Sequence, residues 1–195
     1  MLEQIKVWDR ELFVWLNGLG VADYDAFWVF ITKIESWIPL FALFFFLLIR
    51  FSGWKKGLIQ VGLVVLTFSV TLILTELTKE FVGRLRPNNA EHLAGIIRIL
   101  QQPHGFSFFS GHASSSFAIT TFVFLSLRKW NKWILLAYLW PVLFVLSRIY
   151  VGVHYPSDIL VGALVGVLMA YLFYGLSKFI LKRLERASLK STSPG

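Results

Sequence analysis

The chain has 195 residues, 56% of them hydrophobic and only 15% charged, against about 25% charged in an average soluble domain. That composition argues against a soluble enzyme, a nucleic-acid binder and a disordered scaffold, and for a single domain built in a bilayer, where roughly 20 mostly apolar residues carry a helix across the hydrocarbon. The net charge is +8, and the absence of cysteine removes disulfides, thiolate catalysis and cysteine zinc sites.

In chain order, residues 2–19 intersperse Leu2, Ile5, Leu12, Trp15 and Leu19 with Glu3, Lys6, Asp9, Arg10 and Glu11. This density of charge suits a helix lying on the membrane surface better than one crossing it. It also lacks the basic start and apolar core of a cleaved signal peptide. The stretch from Asp25 to Ile34 reads similarly, so residues 1–34 are expected to form interfacial helices. Apolar runs then predict spans over about Trp37–Phe51, Gly57–Thr78, Gly111–Leu127, Trp133–Arg148 and Pro156–Leu181. The fold class is thus an all-α membrane bundle of five spans, or six if residues 1–34 insert. A polar segment, 79–110, reads as one long loop, and residues 186–195 read as a disordered tail.

Charge gives the orientation. The turns after the first and third spans, together with the C-terminal segment, hold eleven basic residues and Glu185 as their one acid; the rest of the chain holds eight basic and ten acidic residues. The positive-inside bias puts the first set in the cytoplasm. The N-terminal region and the loops 79–110 and 149–156 then face outward, with the plasma (inner) membrane of a bacterium the expected location.

The polar residues gather at that outward end. Lys79 and Arg86 are seven apart, close to two helical turns, and Pro87 disfavours helix at Arg86. On that spacing Arg84 points roughly 140° away from Lys79 and reads as a cation attracted to lipid. Glu76 and Glu80 are within reach of Lys79, and a pair of snorkelling cations at a helix end is the plainer reading. Ser110 is a favoured N-cap, and the free N–H groups of a first helical turn, approached through Gly111, form an anion site. The alternative is a simple cap followed by small residues for helix packing. His154 and Asp158 straddle a helix start marked by Pro156, a spacing at which a carboxylate fixes the tautomer of a ring that then serves as base, ligand or nucleophile. His92 and His104 sit in the loop as solvated bystanders. Gly162 and Gly166 form a close-packing motif, whether within one chain or between chains.

Taken together, Lys79-x6-Arg86-Pro87, Ser110-Gly111-His112 and Ser147-Arg148-x5-His154-x3-Asp158 resemble the type 2 phosphatidic acid phosphatase family, which also holds vanadium haloperoxidases and glucose-6-phosphatases. One departure is Phe109, where the family usually has proline; the expected consequence is a local change in backbone stiffness. The resemblance implies that His154 attacks phosphorus and becomes phosphohistidine, with Asp158 orienting it. It implies that His112 protonates the leaving oxygen and then activates water, and that Lys79, Arg86, Arg148, Ser110 and Gly111 hold the phosphoryl oxygens. It implies no metal and no cofactor. The substrate is then a lipid phosphate or diphosphate, with undecaprenyl diphosphate the first choice and phosphatidylglycerophosphate or the lipid A 1-phosphate as alternatives. Two other classes compete: a metal-dependent hydrolase using His112, His154 and Asp158 as ligands, and a non-catalytic lipid-phosphate binder or transporter. The oligomeric state is left open.

Overall fold

The structure, a computed structural model, describes residues 2–191. It is helical, and no strand occurs among the described residues. Seven α-helices follow in order: α1 (Leu2–Gly18), α2 (Asp25–Ile31), α3 (Ile38–Ser52), α4 (Trp54–Val82), α5 (Gly111–Leu127), α6 (Leu139–Tyr150) and α7 (Pro156–Ser191). Four helical stretches, containing α3, α4, α6 and α7, are long and apolar enough to cross a membrane. The fifth expected span, α5, has 17 residues, is shorter than those four stretches and is the most enclosed helix of the bundle. The protein is an integral membrane protein.

Boundaries differ where local chemistry intervenes. α4 continues four residues past the expected end of the second span and stops at Gly83, whose φ of +62° is the left-handed cap that glycine adopts freely. Extended backbone at Arg86 (φ −70°, ψ 154°) meets the restriction set by Pro87. A 3₁₀ segment, Lys132–Tyr138, forms the first half of the fourth span. α7 runs on to Ser191, so residues 186–191, expected as tail, are helical; residues 192–195 lie outside the described ones.

α1 is two-faced. Ile5, Trp8, Leu12 and Trp15 are exposed along one side, while Asp9, Phe13 and Asn17 are buried on the other. The Asn17 amide donates to the backbone carbonyls of Arg98, Ile149 and Tyr150 and accepts from Arg98 N–H at 2.7 Å. This polar knot ties α1 to the end of α6. An Arg98–Asp25 ion pair, with the Tyr150 hydroxyl on the same carboxylate, fastens α2 there too.

The contact that sets the core is α5 against α7. A Cβ on Gly162 would lie 2.6 Å from the Ser110 carbonyl oxygen, and one on Gly166 only 2.2 Å from that of Ser114. The two glycines therefore let the helix backbones touch, as small-residue motifs do in membranes, and they do so within this chain. On its other side α5 is joined to α4 by the Thr75–Ser114 hydroxyl pair at 2.9 Å. At the opposite end of the bundle Lys56 at the start of α4 meets Glu185 near the end of α7.

Gly166→Ala should lower the thermal unfolding midpoint in detergent and the yield of monodisperse protein, since overpacking typically costs about 1–3 kcal/mol. Gly175→Ala is the control: its added Cβ meets nothing within 4 Å, and it should be neutral or slightly stabilising.

Candidate active site

Five elements deliver their polar residues to one end of the bundle. Lys79 comes from the last turn of α4, Arg86 from the following loop, Ser110–His112 from the start of α5, Arg148 from the end of α6, and His154 and Asp158 from the α6–α7 junction. Ser110 caps α5, its hydroxyl accepting from Ala113 N–H at 3.4 Å, and its own N–H donates to the Asp158 carbonyl at 3.0 Å. The α5 N-terminus and the first turn of α7 are thereby locked together.

Lys79 turns inward. Its Nζ pairs with Glu76 at 2.7 Å and lies 3.8 Å from the point where a Cβ on Gly111 would stand. A Cβ at position 111 would thus stand at ordinary contact distance from the ammonium group. Arg86 is buried, and its Nη1 lies 3.1 Å from His154 Nε2. A guanidinium N–H can only donate, so Nε2 is the acceptor and the ring proton sits on Nδ1. That nitrogen faces Asp158 Oδ2 at 3.4 Å, the long end of hydrogen-bonding distance. Burial, then the charges of Arg148, Arg86 and Lys79, hold His154 well below the ordinary histidine range, opposed by a hydrogen bond to the Ser107 backbone. The Nε2 lone pair thus faces the Arg86 guanidinium.

Arg148 is 4% exposed, and its Nη1 donates to Thr32 Oγ1 and to Gln101 Oε1. Both partners are neutral. The Nε atoms of Arg148 and Arg86 are buried with no hydrogen-bond partner among the described residues. Two guanidinium groups in this condition, beside an inward lysine and the free N–H groups of a helix start, form a pocket that favours an anion. The charges of Arg148, Lys79 and Arg86 and the His154 ring all act on His112. The His112 ring rests on Phe144 of α6, with centroids 4.8 Å apart. Every residue expected at the site is therefore brought to this one pocket, while His92 and His104 are exposed away from it. Among the described residues no group of three or more His, Cys, Asp or Glu side chains is arranged to hold a metal ion.

The geometry corrects the reading of Arg84. Because α4 ends at Val82, the helical spacing does not extend to Arg84 or Arg86. Arg84 does not face lipid: its Nη1 donates to Asp158 Oδ1 and Ser157 Oγ, each at 2.7 Å, and its Nη2 to Asp9 Oδ2 at 2.6 Å. Its guanidinium also lies 4.0 Å over the Tyr155 ring. Thr32, Gln101, Ser107 and Asp9 complete the surroundings, and none of them carries a sequence signal. Their partners are tens of residues away along the chain, and only the fold reveals the pairing. Phe109, the residue in place of proline, is buried at 4% exposure directly before Ser110.

Below the pocket an apolar furrow of about 330 Å³ runs between α3, α4 and α5, lined by Ile34, Phe41, Phe45, Val65, Phe68 and Ile119 among others. Phe45 and Val65 are exposed at its rim, so it opens toward the bilayer. Ile119 is two turns along α5 from His112, and Ile34 is two residues from Thr32. The furrow and the cationic pocket are therefore neighbours.

A lipid A 4'-phosphatase of Bacteroides thetaiotaomicron is 30% identical over 95% of this chain and 84% of its own length. An undecaprenyl-diphosphatase of Sulfolobus acidocaldarius is 33% identical over 87% of this chain and 79% of its own. The crystal structure of a PAP2-type phosphatidylglycerolphosphate phosphatase from Bacillus subtilis superposes with a TM-score of 0.72, at 22% identity, covering 91% of this chain and 88% of that one; at that identity it speaks for the fold alone. The family model for the PAP2 superfamily matches residues 60–181, from α4 through α7 and across every motif residue, and the chain belongs to that family.

Proposed function

We propose that this protein removes phosphate from a membrane lipid phosphate or diphosphate through a phosphohistidine on His154. The observation that carries the reading is the orientation of that ring: Nδ1–H toward Asp158, and an unprotonated Nε2 beside Arg86. In the first step the Nε2 lone pair forms a bond to phosphorus and the P–O bond to the lipid breaks. The departing oxygen takes a proton from His112. In the second step His112 accepts a proton from water, the resulting hydroxide attacks phosphorus, and the P–N bond breaks, returning neutral His154. Lys79, Arg86, Arg148, Ser110 and the Gly111 N–H would hold the phosphoryl oxygens, with charge development in the transition state met by donors already in place. The apolar furrow suits a lipid tail entering from the side.

For the substrate, undecaprenyl diphosphate is the first reading, supported by likeness to the Sulfolobus enzyme. A lipid A phosphate is the second, supported by the near full-length likeness to the Bacteroides enzyme. Phosphate release from detergent-solubilised protein offered undecaprenyl diphosphate, lipid A and phosphatidylglycerophosphate in parallel ranks them. Release unaffected by EDTA separates this mechanism from a metal-dependent one, and absence of release from all three substrates would leave only a binding role.

His154→Ala should abolish turnover while the protein remains folded, and wild-type enzyme should yield a phosphoenzyme labile in acid and stable in base. Wild-type rates in the variant overturn the reading. His112→Ala should impair a lipid leaving group by about 10²–10⁴-fold, the usual range of general acid–base catalysis, and an aryl phosphate much less, because a good leaving group departs without a proton. Equal losses on both would reassign His112 to binding.

We also propose that the site opens to the exterior with the C-terminus in the cytoplasm, on the strength of the one-sided basic charge. The lack of cysteine makes the test clean. A membrane-impermeant maleimide applied to intact cells should label His104→Cys and spare Lys132→Cys; the reverse pattern inverts the topology.

A further inference from the structure

Asp158 is wholly buried, and its two oxygens have different duties. Oδ2 accepts from Tyr155 N–H at 3.0 Å and faces the His154 ring. Oδ1 accepts from Arg84 at 2.7 Å. The other arm of the same guanidinium is held by Asp9 of α1, and Asp9 also accepts from Ser157 N–H at 2.8 Å, in the first turn of α7. The carboxylate of Asp9 thus anchors both the cation that grips Asp158 and the helix end that bears it. Its position suits an anion, since a helix start carries positive dipole and free N–H groups. Arg84 directs its hydrogen bonds to Asp9, Ser157 and Asp158, whereas Arg86 meets the other edge of the ring. Arg84 therefore has no share in the phosphate pocket, and its route to the chemistry runs through Asp158.

We propose that Arg84, clamped by Asp9 of α1, is a positioning residue for the Asp158–His154 pair; this rests on the phosphohistidine reading above. A carboxylate with one oxygen released can rotate about its Cβ–Cγ bond, and the ring it orients then loses its line of attack. At a 3.4 Å contact the His154–Asp158 bond has little strength of its own to resist this. The fork geometry of arginine is required because two carboxylates on different helices must be held at once, which a single ammonium group cannot do.

The test uses the full chain in detergent, with farnesyl diphosphate as probe and kcat and KM measured separately. Arg84→Ala should lower kcat by about 10²-fold, the scale of a small misplacement of a reacting group, with KM little changed. Arg84→Lys should recover part of the loss. In an Asp158→Asn background Arg84→Ala should cost nothing further, because the path it acts through is already cut. A merely structural Arg84 would instead show wild-type kcat with a lowered unfolding temperature, or the same fold-loss in both backgrounds, and either result overturns the proposal. If Arg84→Ala does not fold, Asp9→Asn carries the same comparison: its kcat loss should vanish in the Asp158→Asn background, and an undiminished loss there refutes the clamp. Wild-type protein that releases no phosphate from farnesyl diphosphate or from the lipid panel refutes the phosphatase reading itself, and this inference falls with it.

Discussion

The rest of the molecule is organised around the burial of positive charge without full neutralisation. A guanidinium taken out of water loses several kcal/mol of hydration unless its environment supplies partners. Arg148 receives only a hydroxyl and an amide oxygen, Arg86 receives a carbonyl and an imidazole nitrogen, and both keep an Nε–H without a partner among the described residues. Lys79 has Glu76, but that carboxylate is exposed. Such a pocket is electrostatically incomplete, and on the function proposed above a phosphoryl group, with several oxygens in tetrahedral array, would complete it. The cost of assembling the cations is met by the fold before any substrate arrives, which is what preorganisation means in energetic terms.

Holding that arrangement demands rigidity, and the bundle supplies it through close backbone contact in its centre. The glycines of α7 let it press against the first turns of α5, so that Ser110 N–H reaches the carbonyl of Asp158 directly. Thr75 pins the same end of α5 to α4, one turn below Lys79. Three helices are thus locked at the level where their functional residues emerge. The short α6–α7 junction then has little freedom, and Val153 N–H closes it onto the Arg148 carbonyl at 3.1 Å. His154 is placed by this tight turn as much as by its own side-chain contacts.

Much of this was legible in the residues. The spans could be read because apolar runs of that length have few other uses, and α5 begins at Gly111 as expected because a serine cap ahead of small residues is a strong start signal. The candidate site residues stood out because charge is rare in such a chain, and the roles assigned to them came from the family resemblance. What could not be read was anything that depends on pairing across long separations. Thr32 sits 116 residues from the arginine it serves, and Asp9 sits 148 residues from Ser157. Arg84 was misread for a different reason. Helical spacing was carried through Gly83, where the backbone enters the left-handed region and the helix stops. The turn then brings both Arg84 and Arg86 inward, on opposite sides of the Asp158–His154 pair, which a straight helix would not allow.

The surface helix acquires a different meaning from the same geometry. On composition α1 is expected to rest on the membrane as an amphipathic element, and the structure exposes its Ile5, Trp8, Leu12 and Trp15. Its inner face does more than fill space. Phe13 packs edge-on against Tyr155, with ring centroids 5.4 Å apart, and Asp9 and Asn17 bond to the start of α7 and the end of α6. These are the two helix ends that flank His154. α1 is therefore tied, through side chains of fixed length, to both ends of the loop bearing that histidine, and the order of that loop depends on how α1 is held.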